Sequence, residues 1–349
     1  MGLRKRPLIK IAALLIISGA LVLANHGFAQ SADSEYNNCM SMGQESLAIG
    51  DNDEAINQFR RAIKLSENKN YEPYWGLCQA YLHTGSVENA LESGDQLLKL
   101  APDDKWRARA IDIKGLALFQ EAENDLSKLA KAEEQFREAV KVNPGLATAH
   151  FNLGVTLMKE NHDEEGKAEL NIYLSQLPNG PEADYAKEYL ADPRHAREHF
   201  APNFAGATSQ GKYISMDELH GKVVLVEFWA TWCGPCKIAY PELVNMYRNI
   251  GKERFVFVSI DEDQNQDVWK QFLATNHPDW LQIQDANGKI GRQFHPPGSR
   301  SGIPDYFVID GNGVIRETFT GWGDGQASAL QSAIEKCLKN LPPPAAGDK

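Results

Sequence analysis

The chain is poor in cysteine: five in 349 residues, too few and too scattered for a disulfide-stapled scaffold. Beyond Cys233 and Cys236 no two cysteines stand close together, so the second ligand pair of a structural zinc site is missing. Lys237 occupies the place after Cys236 where a haem-attachment motif requires histidine. Long apolar runs are scarce as well. The run Ile11 to Ala24 is shorter than the roughly 20 residues that cross a bilayer as a helix. Basic residues are outnumbered, 36 against 47 acids, and the net charge of -11 repels nucleic acid phosphates.

What remains is an ordinary globular composition, 42% hydrophobic and 24% charged, on a chain long enough for two domains. The amino terminus reads as a secretory signal. Arg4, Lys5 and Arg6 precede the apolar run, and Gly27-Phe28-Ala29 ends in the small residue that a signal peptidase reads. Residues 1–29 are therefore expected to be removed, with an uncleaved N-terminal anchor as the lesser alternative, and the location to be periplasmic or otherwise extracytoplasmic. Losing Arg4, Lys5, Arg6 and Lys10 from the 36 bases leaves 32 against 47 acids, a net charge near -15. Export places the thiols where disulfides form and persist.

From Ser34 to about Pro178 the apolar pattern is helical and repeats near every 34 residues. Gly43 is followed by Ala55, Phe59 and Ala62 at offsets of 12, 16 and 19, and Gly154 by Gly166, Leu170 and Tyr173 at the same offsets. Cys78, Ala90, Gly94 and Leu97 keep that frame, with Pro102 closing the unit. Ala132, Phe136, Ala139 and Pro144 supply the second helix of a third unit, whose first helix, around Gly115 and Leu118, is displaced by an insertion at Glu121 to Lys128. Small residues let two helices touch, large ones fill between repeats, and proline stops the second helix. The pattern resembles the tetratricopeptide repeat, which implies an α-solenoid of helical hairpins that binds a protein or peptide. Pro181 to Asp192 is expected to cap it. The repeat domain is thus placed at residues 34–192 and a linker at 193–202.

The second half has another period. Val223 to Ala230 is a nearly continuous apolar run, as a buried central strand requires, and Phe255 to Ile260 is a second. Helices are expected over 236–250 and 265–275, a hairpin over Tyr306 to Phe319 around Asp310-Gly311-Asn312-Gly313, and a closing helix over Gln326 to Leu341. The β-α-β-α-β-β-α order implies an α/β domain, residues 203–341, with a mixed central sheet flanked by helices. Residues 342–349 form a short polar tail.

Cys233-Gly234-Pro235-Cys236 stands where a strand gives way to a helix. Free N–H groups and the helix dipole there stabilise a thiolate on Cys233, and Cys236 lies within the first turn, close enough to close a disulfide. Cys233 is expected as the exposed attacking thiol and Cys236 as the buried resolving one. Phe228-Trp229-Ala230-Thr231-Trp232-Cys233-Gly234-Pro235-Cys236-Lys237, with Ala201-Pro202-Asn203-Phe204 and Gly302-Ile303-Pro304, resembles the thioredoxin-like TlpA/ResA branch of thiol-disulfide oxidoreductases. The resemblance implies that Glu227 relays protons to Cys236 and that Pro304 is a cis-proline facing the disulfide. It also implies that the Ile303 backbone pairs with an extended substrate. Trp232, Gly234 and Pro235 are expected to contact substrate. Two departures are visible: Ala239 stands where many members have glutamate, and Asp305 where threonine is commoner.

His195-Ala196-Arg197-Glu198-His199 matches a metallopeptidase pattern but lies in a short interdomain segment, and is read as a solvated linker helix. Cys78 and Cys337 are read as buried structural thiols; pairing of Cys39 with Cys78 is left open. No metal, and no cofactor beyond the thiols, is implied. The partners expected are a protein substrate with disulfides or thiols, a ligand of the repeats, and a membrane electron donor for a reductase. Family analogy points to cytochrome c maturation or to reduction of exported proteins. The same pair run in reverse gives an oxidant or isomerase, and an assembly scaffold is the non-catalytic reading.

Overall fold

The computed structural model describes residues 29–122, 125, 127–295 and 302–342. The signal-peptide reading, except Ala29, and all of the tail but Pro342 lie outside that set. The chain divides between Arg197 and Glu198 into two compact units. No described helix is long and apolar enough to cross a membrane.

Among the described residues the first unit has nine α-helices: α1 (Ala29–Ile49), α2 (Asn52–Leu65), α3 (Glu72–Thr84), α4 (Val87–Leu100), α5 (Asp104–Glu121), α6 (Ser127–Val142), α7 (Ala147–Lys159), α8 (Asp163–Gln176) and α9 (Ala183–Ala191). The repeating small and large residues meet as their spacing requires. Phe59 of α2 is 1% exposed, and a Cβ added at Gly76 of α3 would stand 2.4 Å from its ring. Phe136 of α6 lies over Gly115 of α5 in the same way, at 2.5 Å. Gly154 and Gly166 let α7 and α8 touch, since a Cβ at Gly166 would come within 2.8 Å of the Gly154 carbonyl oxygen. Each such aromatic contributes about 1.5–3 kcal/mol through burial, which a bulkier residue at the glycine would forfeit. α9 closes the stack with Ala183, Ala186 and Tyr189 buried beside Phe151 and Tyr173. Cys39 and Cys78 are buried and unbridged.

The segment expected as a linker is packed, not solvated. Pro193–Ala196 is a single 3-10 turn whose Ala196 joins the core of the first unit, and Arg197 bonds Asp163 and the Met158 carbonyl. Residues 198–202 belong to the second unit: the His199 carbonyl accepts from Ile315 N–H, and Ala201 N–H donates to Gly313. The two histidines of the metallopeptidase pattern therefore share no helical face. Ala196 and Arg197 are held by the first unit and residues 199 and 201 by the second, so no single helix spans the segment.

The second unit holds a ribbon, β1 (Ala205–Ala207) and β2 (Tyr213–Ser215), then β3 (Val223–Trp229), α10 (Gly234–Asn249), β4 (Phe255–Asp261), α11 (Gln266–Asn276), β5 (Leu281–Gln284), α12 (Lys289–Phe294), β6 (Asp305–Ile309), β7 (Ile315–Thr320) and α13 (Gln326–Lys339). The five-stranded sheet runs β5-β4-β3-β6-β7, with β3, β4 and β5 parallel and the β6–β7 hairpin antiparallel. The ribbon, β5 and α12 are absent from the order read in the sequence. Strands of three or four residues are too short for alternation to register, and α12 is under two turns. In β3, Val223 and Leu225 face α10 and α13, whereas Val224, Val226 and Phe228 face Phe204, Ile214, Ile290 and Phe294. Both faces of the strand are thus covered, which is why the run is continuously apolar. Cys337 of α13 is buried in the first of these clusters and unbridged.

Candidate active site

β3 delivers the redox pair. Its last residues lead into a turn in which Cys233 caps α10, and Cys233 and Cys236 are joined as a disulfide with Cα atoms 5.3 Å apart. The Cys236 N–H donates to Cys233 Sγ at 3.1 Å, so a backbone donor of the helix start already points at the sulfur that would carry negative charge. Pro235 sits in the first turn, where its lacking N–H costs nothing, and the helix continues through Pro241. The Ile303–Pro304 bond is cis, and the Ile303 carbonyl oxygen stands 3.6 Å from Cys233 Sγ.

One expectation is corrected. Cys233 is not exposed: it is 4% accessible and Cys236 3%. The disulfide draws Cys233 into a shell of Trp229, Ala230, Trp269 and Ile303. What is exposed is the rim. Trp232 and Ile238 are 66% and 67% accessible, and a Cβ at Gly234 would meet no heavy atom within 4 Å.

Glu227, two residues before the end of β3, is 4% exposed on the α10 side of the sheet. Its strand neighbours are Ser259 of β4 and Tyr306 of β6. Ser259 donates its hydroxyl hydrogen to the Glu227 carboxylate and accepts from Trp280 Nε1 at 2.7 Å. Burial pushes the carboxyl up to about 7, against the lowering effect of Ser259 and Tyr306. The Tyr306 hydroxyl makes no hydrogen bond of good geometry among the described residues, and burial and then the Glu227 charge raise its phenol. A small pocket touches both Glu227 and Cys236, lined also by Trp229, Tyr240 and Phe272. A carboxyl raised toward neutrality and Cys236 thus line the same pocket.

The turn itself is fastened from the segment that follows β4. Asp263 accepts from the Thr231 N–H at 2.8 Å and from Thr231 Oγ1 at 3.0 Å. Asp261, fully buried, is pushed up to about 9 by desolvation first and then by the Asp263 carboxylate. Neither acid was foreseen from sequence.

The chain matches known proteins over both units. The Redoxin family profile covers residues 196–334, and the tetratricopeptide repeat profile residues 40–105 and 122–181. The thiol:disulfide interchange protein DsbE of Pseudomonas fluorescens is 30% identical over 143 residues, 39% of this chain and 76% of that protein. The chain belongs to this family of thiol-disulfide oxidoreductases. The thiol-disulfide oxidoreductase ResA of Bacillus subtilis is 28% identical over 121 residues, 35% of this chain, and the chain spans 65% of its length. A thiol:disulfide interchange protein of the thioredoxin family from Chlorobium tepidum, solved by crystallography, is 28% identical with a TM-score of 0.37, covering 41% of this chain and 97% of that one.

Within the oxidoreductase site, the structure brings Cys233, Cys236, Trp232, Gly234, Pro235, Ile303 and Pro304 to the end of β3, with Glu227 beneath. Ser259, Trp280, Tyr306, Asp261 and Asp263 were not singled out in the sequence. No local pattern marks them, because strand register alone makes Ser259 and Tyr306 neighbours of Glu227.

Proposed function

We propose that the protein is an extracytoplasmic protein-disulfide reductase whose repeats recruit the protein it acts on. The observation that carries the reading is the Cys233–Cys236 pair at a helix start, with the Ile303 carbonyl against one sulfur and buried Glu227 in the pocket of the other. In the reduced protein the Cys233 thiolate attacks a substrate disulfide. The substrate S–S bond breaks, one substrate sulfur leaves as a thiolate and takes up a proton, and a mixed disulfide remains. Cys236 passes its proton to Glu227 and attacks Cys233 Sγ. The intramolecular disulfide closes and the second substrate sulfur departs, so two electrons have moved from the pair to the substrate. A membrane reductant must return them. Exported cysteines awaiting haem attachment are one substrate class that fits this chemistry.

Gly234-Pro235 between the cysteines favours a reducing pair, and equilibration with glutathione measures it: a midpoint near about -120 mV would mean an oxidant instead. With Cys236→Ser the mixed disulfide on Cys233 cannot resolve, so the partner stays attached. Expressed in an exporting host, the full-length trap is expected to hold a defined set of exported proteins, and removal of residues 34–192 to lose that selectivity. Identical adducts with and without the repeats would end the recruitment reading. No adduct from an exported, folded protein would favour the scaffold.

A further inference from the structure

His295, at the end of α12, and Asp305, at the start of β6, form a buried hydrogen-bonded pair that the thiol chemistry does not use. Nε2 of His295 lies 2.8 Å from Asp305 Oδ2, and the two side chains are 4% and 0% exposed. The other ring nitrogen, Nδ1, faces the Gly291 carbonyl oxygen at 3.0 Å. A carbonyl oxygen only accepts, so Nδ1 carries a hydrogen and Nε2 is committed to the carboxyl. The second carboxyl oxygen accepts from Thr320 Oγ1 in the adjoining strand. The imidazole also stands edge-on to Phe228 of β3 at 4.8 Å and to Phe307 of β6 at 5.6 Å.

One side chain therefore grips both strands that build the site: β3, which leads to Cys233, and β6, which follows directly on Ile303-Pro304. On the far side of that loop, Gly321 N–H donates to the Pro304 carbonyl at 2.8 Å. A buried pair of this kind is a weak source of stability, because desolvation offsets its attraction. It is a source of position, since both ring nitrogens and both carboxyl oxygens have partners on separate segments.

We propose that His295 and Asp305 are a positioning pair that sets the Ile303 carbonyl against Cys233 and so governs affinity for extended protein substrates. The role rests on the disulfide-exchange reading above. A substrate segment that adds to the Ile303 backbone needs that carbonyl in place. A small disulfide, which makes no such strand pairing, does not.

The test compares reduction of insulin and of glutathione disulfide by the full chain and three variants. In Asp305→Asn the amide can donate to Nε2 while its oxygen accepts from Thr320, so the contacts to His295 and Thr320 are both kept. Asp305→Ala is expected to raise KM for insulin about tenfold or more, with kcat and glutathione disulfide reduction unchanged. Asp305→Asn is expected to stay within about twofold of the wild type on both. Should Asp305→Ala fail to fold, the double variant His295→Leu with Asp305→Thr removes the pair without stranding a charge, and the same rise in KM is expected. Equal losses on both substrates, or none on either, in a folded variant would overturn the proposal. A wild-type chain that reduces neither disulfide would instead overturn the exchange reading beneath it.

Discussion

Each of the two units buries a carboxyl that desolvation pushes upward, and the two have different surroundings. In the repeats, Asp112 of α5 is raised to about 6; its oxygens accept from Asn152 at 2.9 Å and Thr148 at 3.1 Å, both on α7. In the catalytic unit, Glu227 is raised to about 7 and opens on a pocket shared with Cys236. Burial and sign are the same. Asp112 ties two helices together with a satisfied hydrogen-bond pair, whereas Glu227 lines a pocket together with Cys236 of the disulfide. A perturbed carboxyl is thus a functional marker only through what it faces.

The largest expected effect separates the two acids. Glu227→Gln should slow disulfide exchange about tenfold or more while the fold survives, the lower part of the range for a general acid–base group. Asp112→Asn should leave exchange with small disulfides untouched; an equal slowing by both would erase the distinction. Stability tells the same story with a known sign. A carboxyl raised on folding holds its proton more tightly in the folded state, so stability falls as pH climbs from the unfolded value to the folded one. That window runs from 4.5 to about 7 for Glu227 and from 3.8 to about 6 for Asp112. Above it, Glu227→Gln should stabilise the catalytic unit by roughly 3 kcal/mol, at about 1.36 kcal/mol per pH unit, as denaturant unfolding at pH 8 would measure.

The glycines sharpen the contrast next. Gly76 lies against Phe59 with no room for a methyl, so Gly76→Ala should cost the repeats about 1–3 kcal/mol and leave reduction of small disulfides unchanged. Unfolding followed by circular dichroism reads the first part and a glutathione disulfide assay the second. The smallest effect is expected at Gly234, which has open space around it. Gly234→Ala should shift the stability of the catalytic unit by less than about 0.5 kcal/mol in the same unfolding experiment. A larger loss there would mean that the face beside the disulfide is part of the protein's own packing and not a place kept open for substrate.

The repeat spacing and the cysteine turn were legible because both are local. A helix brings residues three and four apart onto one face, and successive repeats touch only their neighbours, so Gly43, Phe59, Gly154 and Leu170 disclose the solenoid by their offsets alone. Cys233 and Cys236 likewise meet within one helical turn. Glu227 is legible from the family resemblance, and also as an acid inside the apolar run Val223 to Ala230, where an ionised carboxylate is costly to bury. The partners of these residues were not legible. Ser259 and Tyr306 flank Glu227 through strand register, Asp263 reaches Thr231 across 32 residues, and His295 meets Asp305 only once α12 and β6 are docked. The burial of Cys233 and the division of residues 193–202 between two cores also came from packing. Sequence by itself determined which short-range units form and where the redox pair sits. The tertiary structure decided what surrounds that pair, since contacts between distant segments depend on register and docking that no local period encodes.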